Sequence, residues 1–134
     1  MTRPALTNAT WERTVIELEI PAEWWMTSNR RLHHHDKRRR TANIRQKAGM
    51  LERSRGPVPT PVKVTATISL PTNRRFDPPN AWPVVKAALD GLVDAGILPD
   101  DDHAHVPTTV FERGPKTPGK YTLTLTLERI GTRS

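Results

Sequence analysis

Apolar and polar residues alternate along three stretches of the chain. Ile16, Leu18 and Ile20 interleave with Glu17 and Glu19; Val62, Val64, Ala66, Ile68 and Leu70 interleave with Lys63, Thr65, Thr67 and Ser69; Tyr121, Leu123, Leu125 and Leu127 interleave with threonines. A period of two puts one face of each stretch against a core and the other toward water, so residues 14–20, 62–70 and 121–127 are expected as strands. A fourth strand is expected over residues 105–112. Two other segments follow the helical period. Within residues 36–54, Ile44, Ala48 and Leu51 fall at i, i+4, i+7 among basic side chains; within residues 81–95, Val85, Leu89, Leu92 and Val93 form an apolar stripe. The second helix also carries end signals: Asn80 as an N-cap, Pro83 in the first turn, and Gly96 where a left-handed stop is needed. Residues 22–35 read as a loop holding Trp24, Trp25, Ser28, Asn29 and Arg30. The order β-α-β-α-β-β predicts an α/β fold, a mixed sheet with two main helices packed on it.

The 134 residues suit one small domain. It is expected over residues 13–130, with a flexible leader at 1–12 and a tail at 131–134. No apolar run reaches the roughly 18 residues of a membrane span, and the first eight residues do not resemble a secretory signal. There is no cysteine, which excludes disulfides, thiolate metal sites and cysteine nucleophiles and fits a reducing compartment. A cytoplasmic protein with no membrane contact is the expectation.

The net charge of +7 hides an uneven distribution. Between residues 30 and 55 there are ten basic side chains (Arg30, Arg31, Lys37, Arg38, Arg39, Arg40, Arg45, Lys47, Arg53 and Arg55) and two acidic ones, Asp36 and Glu52. Between residues 77 and 102 the sign reverses, with six aspartates (Asp77, Asp90, Asp94, Asp100, Asp101 and Asp102) against Lys86 alone. Basic side chains attract a polyanion by neutralising phosphates, whereas clustered carboxylates repel it unless divalent cations intervene. Together they point to metal-dependent chemistry on nucleic acid.

The aspartates are not equivalent. Lys86, Asp90 and Asp94 are spaced by four residues and share a helix face, where a solvated surface with a Lys86–Asp90 pair is the simplest role. Asp77 precedes that helix, and Asp100, Asp101 and Asp102 follow it. A helix over residues 81–95 is about 22 Å long, so a shared site requires the following loop to double back, or a twofold partner chain to complete it. The three aspartates are open between an acidic turn and metal ligands. The run His33, His34 and His35 points in divergent directions and has no second ligand group at helical spacing, so it reads as part of a phosphate-contacting arm rather than a zinc site. His103, beside the acidic loop, is a candidate supporting group. Trp24 and Trp25 read as an anchor or dimer contact, with stacking on unpaired bases as the alternative.

Three segments in this order resemble the RusA family of Holliday-junction resolvases: Arg74-Arg75-Phe76-Asp77-Pro78-Pro79-Asn80, then Lys86-Ala87-Ala88-Leu89-Asp90-Gly91-Leu92, then Ala95-Gly96-Ile97-Leu98-Pro99-Asp100-Asp101. Ser28-Asn29-Arg30 after the first strand is similar to the family's N-terminal element, and the likeness spans about residues 15–128. The resemblance implies a small homodimeric, Mg2+-dependent endonuclease that resolves four-way DNA junctions by paired nicking, with no small-molecule cofactor. It implies Asp77, Lys86 and Asp101 as catalytic residues and Asp77 and Asp101 as metal ligands; Asp102, directly after the paired aspartates, is expected as a further metal residue that supplies the charge missing at Pro79. Asn29 and Asn80 would support the site. DNA would lie against Arg30, Arg31, Lys37, Arg38, Arg39, Arg40, Arg45, Lys47, Arg74 and Arg75. The chain departs from the family pattern at Pro79, where an aspartate is usual, and Lys86 follows Asn80 by six residues rather than three. Pro79 favours one alternative, a junction-binding protein with impaired catalysis; the other is a basic nucleic-acid-binding accessory protein without catalysis, whose aspartates are merely solvated.

Overall fold

The structure is a computed structural model and describes residues 13–130; the expected leader and tail lie outside the described residues. Four strands, β1 (Arg13–Ile20), β2 (Val62–Ser69), β3 (Thr108–Arg113) and β4 (Tyr121–Arg129), form one sheet in the order β1-β4-β2-β3. β4 runs antiparallel to both β1 and β2, and β3 joins β2 in parallel, so the sheet is mixed. With α1 (His34–Glu52) and α2 (Trp82–Asp94) inserted, the element order is the expected β-α-β-α-β-β.

The two-residue period accounts for the sheet's sidedness. Ile16, Leu18 and Ile20, Val62 to Ile68 at alternate positions, and Leu123, Leu125 and Leu127 are buried. Their partners on the other face are mostly polar, Val15 excepted, and the register sets Thr67 and Glu17 on either side of Thr124, and Thr65 beside Thr126. One core cluster joins the inward face of the sheet to Val84, Val85, Ala88, Leu89 and Leu92 of α2 and to Ile44 and Ala48 of α1.

The helices meet at two glycines. A Cβ on Gly91 would lie 2.4 Å from the carbonyl oxygen of Arg45 and 2.8 Å from the Ala48 Cβ, and one on Gly49 would lie 3.2 Å from the carbonyl oxygen of Gly91. Leu51, expected on the apolar stripe of α1, is exposed together with Met50, because the stripe is buried only at Ile44 and Ala48.

Element boundaries moved for local reasons. α1 begins two residues before its expected start because His33 caps it, its Nδ1 accepting from the His35 amide at 3.2 Å. Asn80 does not cap α2. A 3-10 turn, Pro78–Ala81, leads directly into the helix, with Ala81 in the N-cap position and no side-chain cap. Pro83 does occupy the first turn, and Gly96 at φ +80° ends the helix while the Ile97 amide donates to the Leu92 carbonyl. β3 begins at Thr108 rather than His105, since the His105 and Val106 amides are turned onto the Asp102 carbonyl and Pro107 has no amide hydrogen to donate. No helix among the described residues is long and apolar enough to cross a membrane.

Candidate functional site

The acidic loop does double back. After Gly96, Ile97 and Leu98 are buried, and the Ile97 carbonyl accepts from the Val58 amide, which fixes the return path. The loop thereby brings Asp101 beside Lys86, about 12 Å back along α2 from Asp94 at 1.5 Å per residue. Lys86 Nζ donates to Asp101 Oδ2 at 2.7 Å and to Asp90 Oδ1 at 2.8 Å. The lysine side chain is 44% exposed, whereas Asp90 and Asp101 are 25% and 18% exposed. The Asp101 and Asp90 carboxylates hold the Lys86 amine more basic than usual, and the Lys86 ammonium holds Asp101 below the ordinary carboxylate range. An ammonium has three N–H donors, so the third remains for a ligand oxygen.

Asp94 faces a different partner from Lys86. Arg45 donates from Nε and Nη2 to its two carboxylate oxygens at 2.6 and 2.8 Å, tying α1 to α2. This bidentate contact raises the Arg45 pKa and lowers that of Asp94, and Asp90 and Asp101 also act on Arg45 through charge. Arg45, expected to contact DNA, is therefore engaged within the protein.

Asp77 lies on the preceding loop and lines a polar cleft of about 360 Å³ with Thr27, Asn29, Arg74, Arg75, Phe76 and Asn80. Arg113 shapes this cleft by donating to the carbonyls of Arg74 at 2.7 Å and Thr72 at 3.1 Å. Phe76 anchors the loop against the core beside Trp25, and the Arg74 guanidinium lies over the Tyr121 ring. Asn80 contributes through its backbone: its amide donates to the Asp77 carbonyl, and its carbonyl accepts from the Ser28 amide. The 27–30 and 77–80 loops, far apart in sequence, are joined by that last bond. Thr27 Oγ1 donates to Asn29 Oδ1 at 2.8 Å on the same wall.

Asp102 turns away from the Lys86 cluster. Its Oδ1 lies 2.6 Å from His105 Nδ1 and accepts from the His105 amide at 3.1 Å, and the histidine contact lowers its pKa. His105, rather than His103, is the histidine tied to the acidic loop. Asp77, Asp101 and Asp102 do not come together as one ligand set, and among the described residues no group of three His, Cys, Asp or Glu side chains could hold a metal ion.

The basic arm divides into two sets. Arg40 is half-buried, donating to the Trp25 carbonyl at 2.7 Å and to Asp36 at 3.1 Å; Arg39 also pairs with Asp36, and Lys47 donates to the Glu19 carbonyl. Arg30, Arg31, Lys37 and Arg38 are exposed, with no side-chain hydrogen bond or ion pair among the described residues. Trp25 is an anchor: it is 5% exposed and stacked on Tyr121 at 4.5 Å between ring centroids. Among the described residues the exposed tryptophan is Trp82, 41% exposed at the start of α2, which the sequence reading did not single out. Its spacing of four from Lys86 was the available signal. A separate cavity of about 370 Å³, lined by Glu19, Lys47, Lys120 and Tyr121 among others, holds Lys47 but none of the acidic candidates.

The fold is thus that of a small α/β domain with an ion-bridged carboxylate pair, an arginine-lined cleft loop and an exposed basic helix end. No family profile matches the chain, and no curated protein matches it.

Proposed function

We propose that the protein is a Mg2+-dependent, structure-selective DNA endonuclease of the RusA type, acting as a homodimer on four-way junctions. The observation that carries this reading is the convergence of Lys86, Asp90 and Asp101 on one partly exposed cluster, within a chain whose cleft loop carries Arg74, Arg75 and Asp77. A magnesium ion takes one or two carboxylates and completes its shell with water and substrate phosphate oxygens. Asp90 and Asp101 both accept from the Lys86 ammonium, and Asp77 stands on the cleft loop. Asp77 and Asp101 would each give the metal a carboxylate oxygen, which requires the ion and the substrate phosphate to draw them together, since the two do not form one ligand set without it.

When bound, the metal would activate water and neutralise charge on the phosphoryl group. The chain's own residues supply the rest. The third N–H of Lys86 would donate to a non-bridging phosphate oxygen, where charge accumulates in the transition state. Arg74 and Arg75 would bind flanking phosphates, held by a loop whose carbonyls Arg113 has fixed. Asn29 and Thr27 would hydrogen-bond to the backbone from the facing wall. Arg30, Arg31, Lys37 and Arg38 would extend the contact along the DNA.

A second reading, junction binding without cleavage, is favoured by Pro79, which is exposed on the 3-10 turn and has no side-chain donor. Labelled four-way junctions incubated with and without magnesium separate the two. Paired nicks that require magnesium are expected; selective binding with no nicks would establish the second reading instead.

A further inference from the structure

Trp82, Lys86 and Asp90 stand at successive four-residue steps of α2, so they form one row along the helix. Most positions around that row are buried: Val84, Val85, Ala87, Ala88, Leu89, Gly91 and Leu92. The row is therefore a ridge that α2 shows to solvent, and its first member is a 41% exposed indole. Trp82 is also held in place. Phe111 of the edge strand β3 meets it edge-on, with ring centroids 6.2 Å apart and planes at 77°, and its own amide donates to the Pro79 carbonyl. A large aromatic fixed at low entropy cost and left part-exposed one helical turn from a charged cluster is suited to a ligand with a flat apolar face and a polar group beside it.

We propose that Trp82 is a stacking platform for an unpaired DNA base, placed so that the phosphate beside that base comes within reach of Lys86. This inference rests on the nuclease reading and deepens it by naming what selects the DNA structure: a continuous duplex keeps its base faces stacked, whereas a bulge, or a branch point opened by the protein, frees one. The occupant is a base rather than a purely apolar partner because the ridge is charged immediately beyond the indole, at Lys86, Asp90 and Asp101; the two carboxylates outweigh the ammonium, so the phosphate beside that base comes in with the divalent cation of the nuclease reading. Base–aromatic stacking tolerates any sequence, since every base has a π-face, so Trp82 would select structure without reading sequence.

The test measures binding of the full chain, with calcium in place of magnesium, to three DNAs: a duplex with a bulge of unpaired thymines, the same bulge made abasic, and a fully paired duplex. Wild type is expected to prefer the thymine bulge over the abasic one. Trp82→Ala should lower affinity for the thymine bulge by roughly 5- to 150-fold and erase that preference, while binding to the paired duplex changes little. Trp82→Phe should retain most of the preference. An equal loss on all three DNAs would overturn the inference, as would a change in sedimentation showing that Trp82 instead seats a second copy of the chain. Wild type that binds all three DNAs equally overturns the stacking role alone; wild type that binds none of them and no four-way junction, measured alongside, overturns the nuclease reading with it.

Discussion

At the scale of single residues, neighbours of like charge have different roles. Arg38 is exposed with no side-chain partner among the described residues, whereas Arg40 holds the Trp25 carbonyl and Asp36 from a half-buried position. Arg38→Ala is expected to weaken binding to all DNA shapes and reduce the salt slope by about one unit, with stability unchanged. Arg40→Ala should instead lower stability by about 1–3 kcal/mol, because a buried carbonyl loses its charged donor. Salt titration of DNA affinity and urea unfolding of both variants check this division. Asp101 gives a pH-dependent expectation. Its pKa is lowered in the folded state by the Lys86 ammonium, so its stabilising contribution is complete above the ordinary aspartate value of about 3.9 and is lost as pH falls through the lower folded value. Both side chains of the pair are partly exposed, so the effect at neutral pH is on the order of 1 kcal/mol. Urea unfolding at a series of pH values should show the deficit of Asp101→Asn shrinking in acid. For Asp102 the structure redirects the expectation: it fixes His105, so Asp102→Ala should loosen the turn before β3 and leave the magnesium requirement of cleavage unchanged, as a metal titration would show.

At the scale of elements, periodicity identified three of the four strands and both α-helices, because a one-sided core imposes its period on the residues that fill it. Where boundaries moved, a local hydrogen bond outweighed the pattern: His33 capping α1, and Asp102 drawing the His105 amide out of the strand. The Asn80 cap failed because consecutive prolines at 78 and 79 favour a 3-10 entry to α2. The site was legible in part for a similar reason. Spacing of four pairs Lys86 with Asp90 in any helix, but the pairings of Asp101 with Lys86 and of Arg45 with Asp94 depend on how a loop returns and how two helices cross, and neither has a period. That crossing has its own sequence requirement. Gly91→Ala would drive a Cβ into the backbone of α1 at Arg45, and a loss of about 1–3 kcal/mol is expected, more if the helices cannot separate. Chemical denaturation of Gly91→Ala, with Ala88→Gly as a helix-propensity comparison, measures it.

At the scale of the whole molecule, the chain combines a basic surface with an acidic cluster, and the two make sense together if the ligand is a polyanion approached with a divalent cation. A homodimer would present two such clusters to the two strands cut at a junction. Pro79→Asp, which adds a carboxylate on the turn after Asp77, should lower the magnesium concentration needed for cleavage, while Pro79→Ala should not. The central claim, that the Asp77 and Asp101 carboxylates serve hydrolysis at a DNA branch, is tested most directly by magnesium-dependent nicking of a labelled four-way junction by wild type, Asp77→Asn and Asp101→Asn, with junction binding measured in parallel. Paired nicks by wild type, and none by either variant despite intact or tighter binding, are the predicted result. Nicking by either variant at the wild-type rate would contradict it.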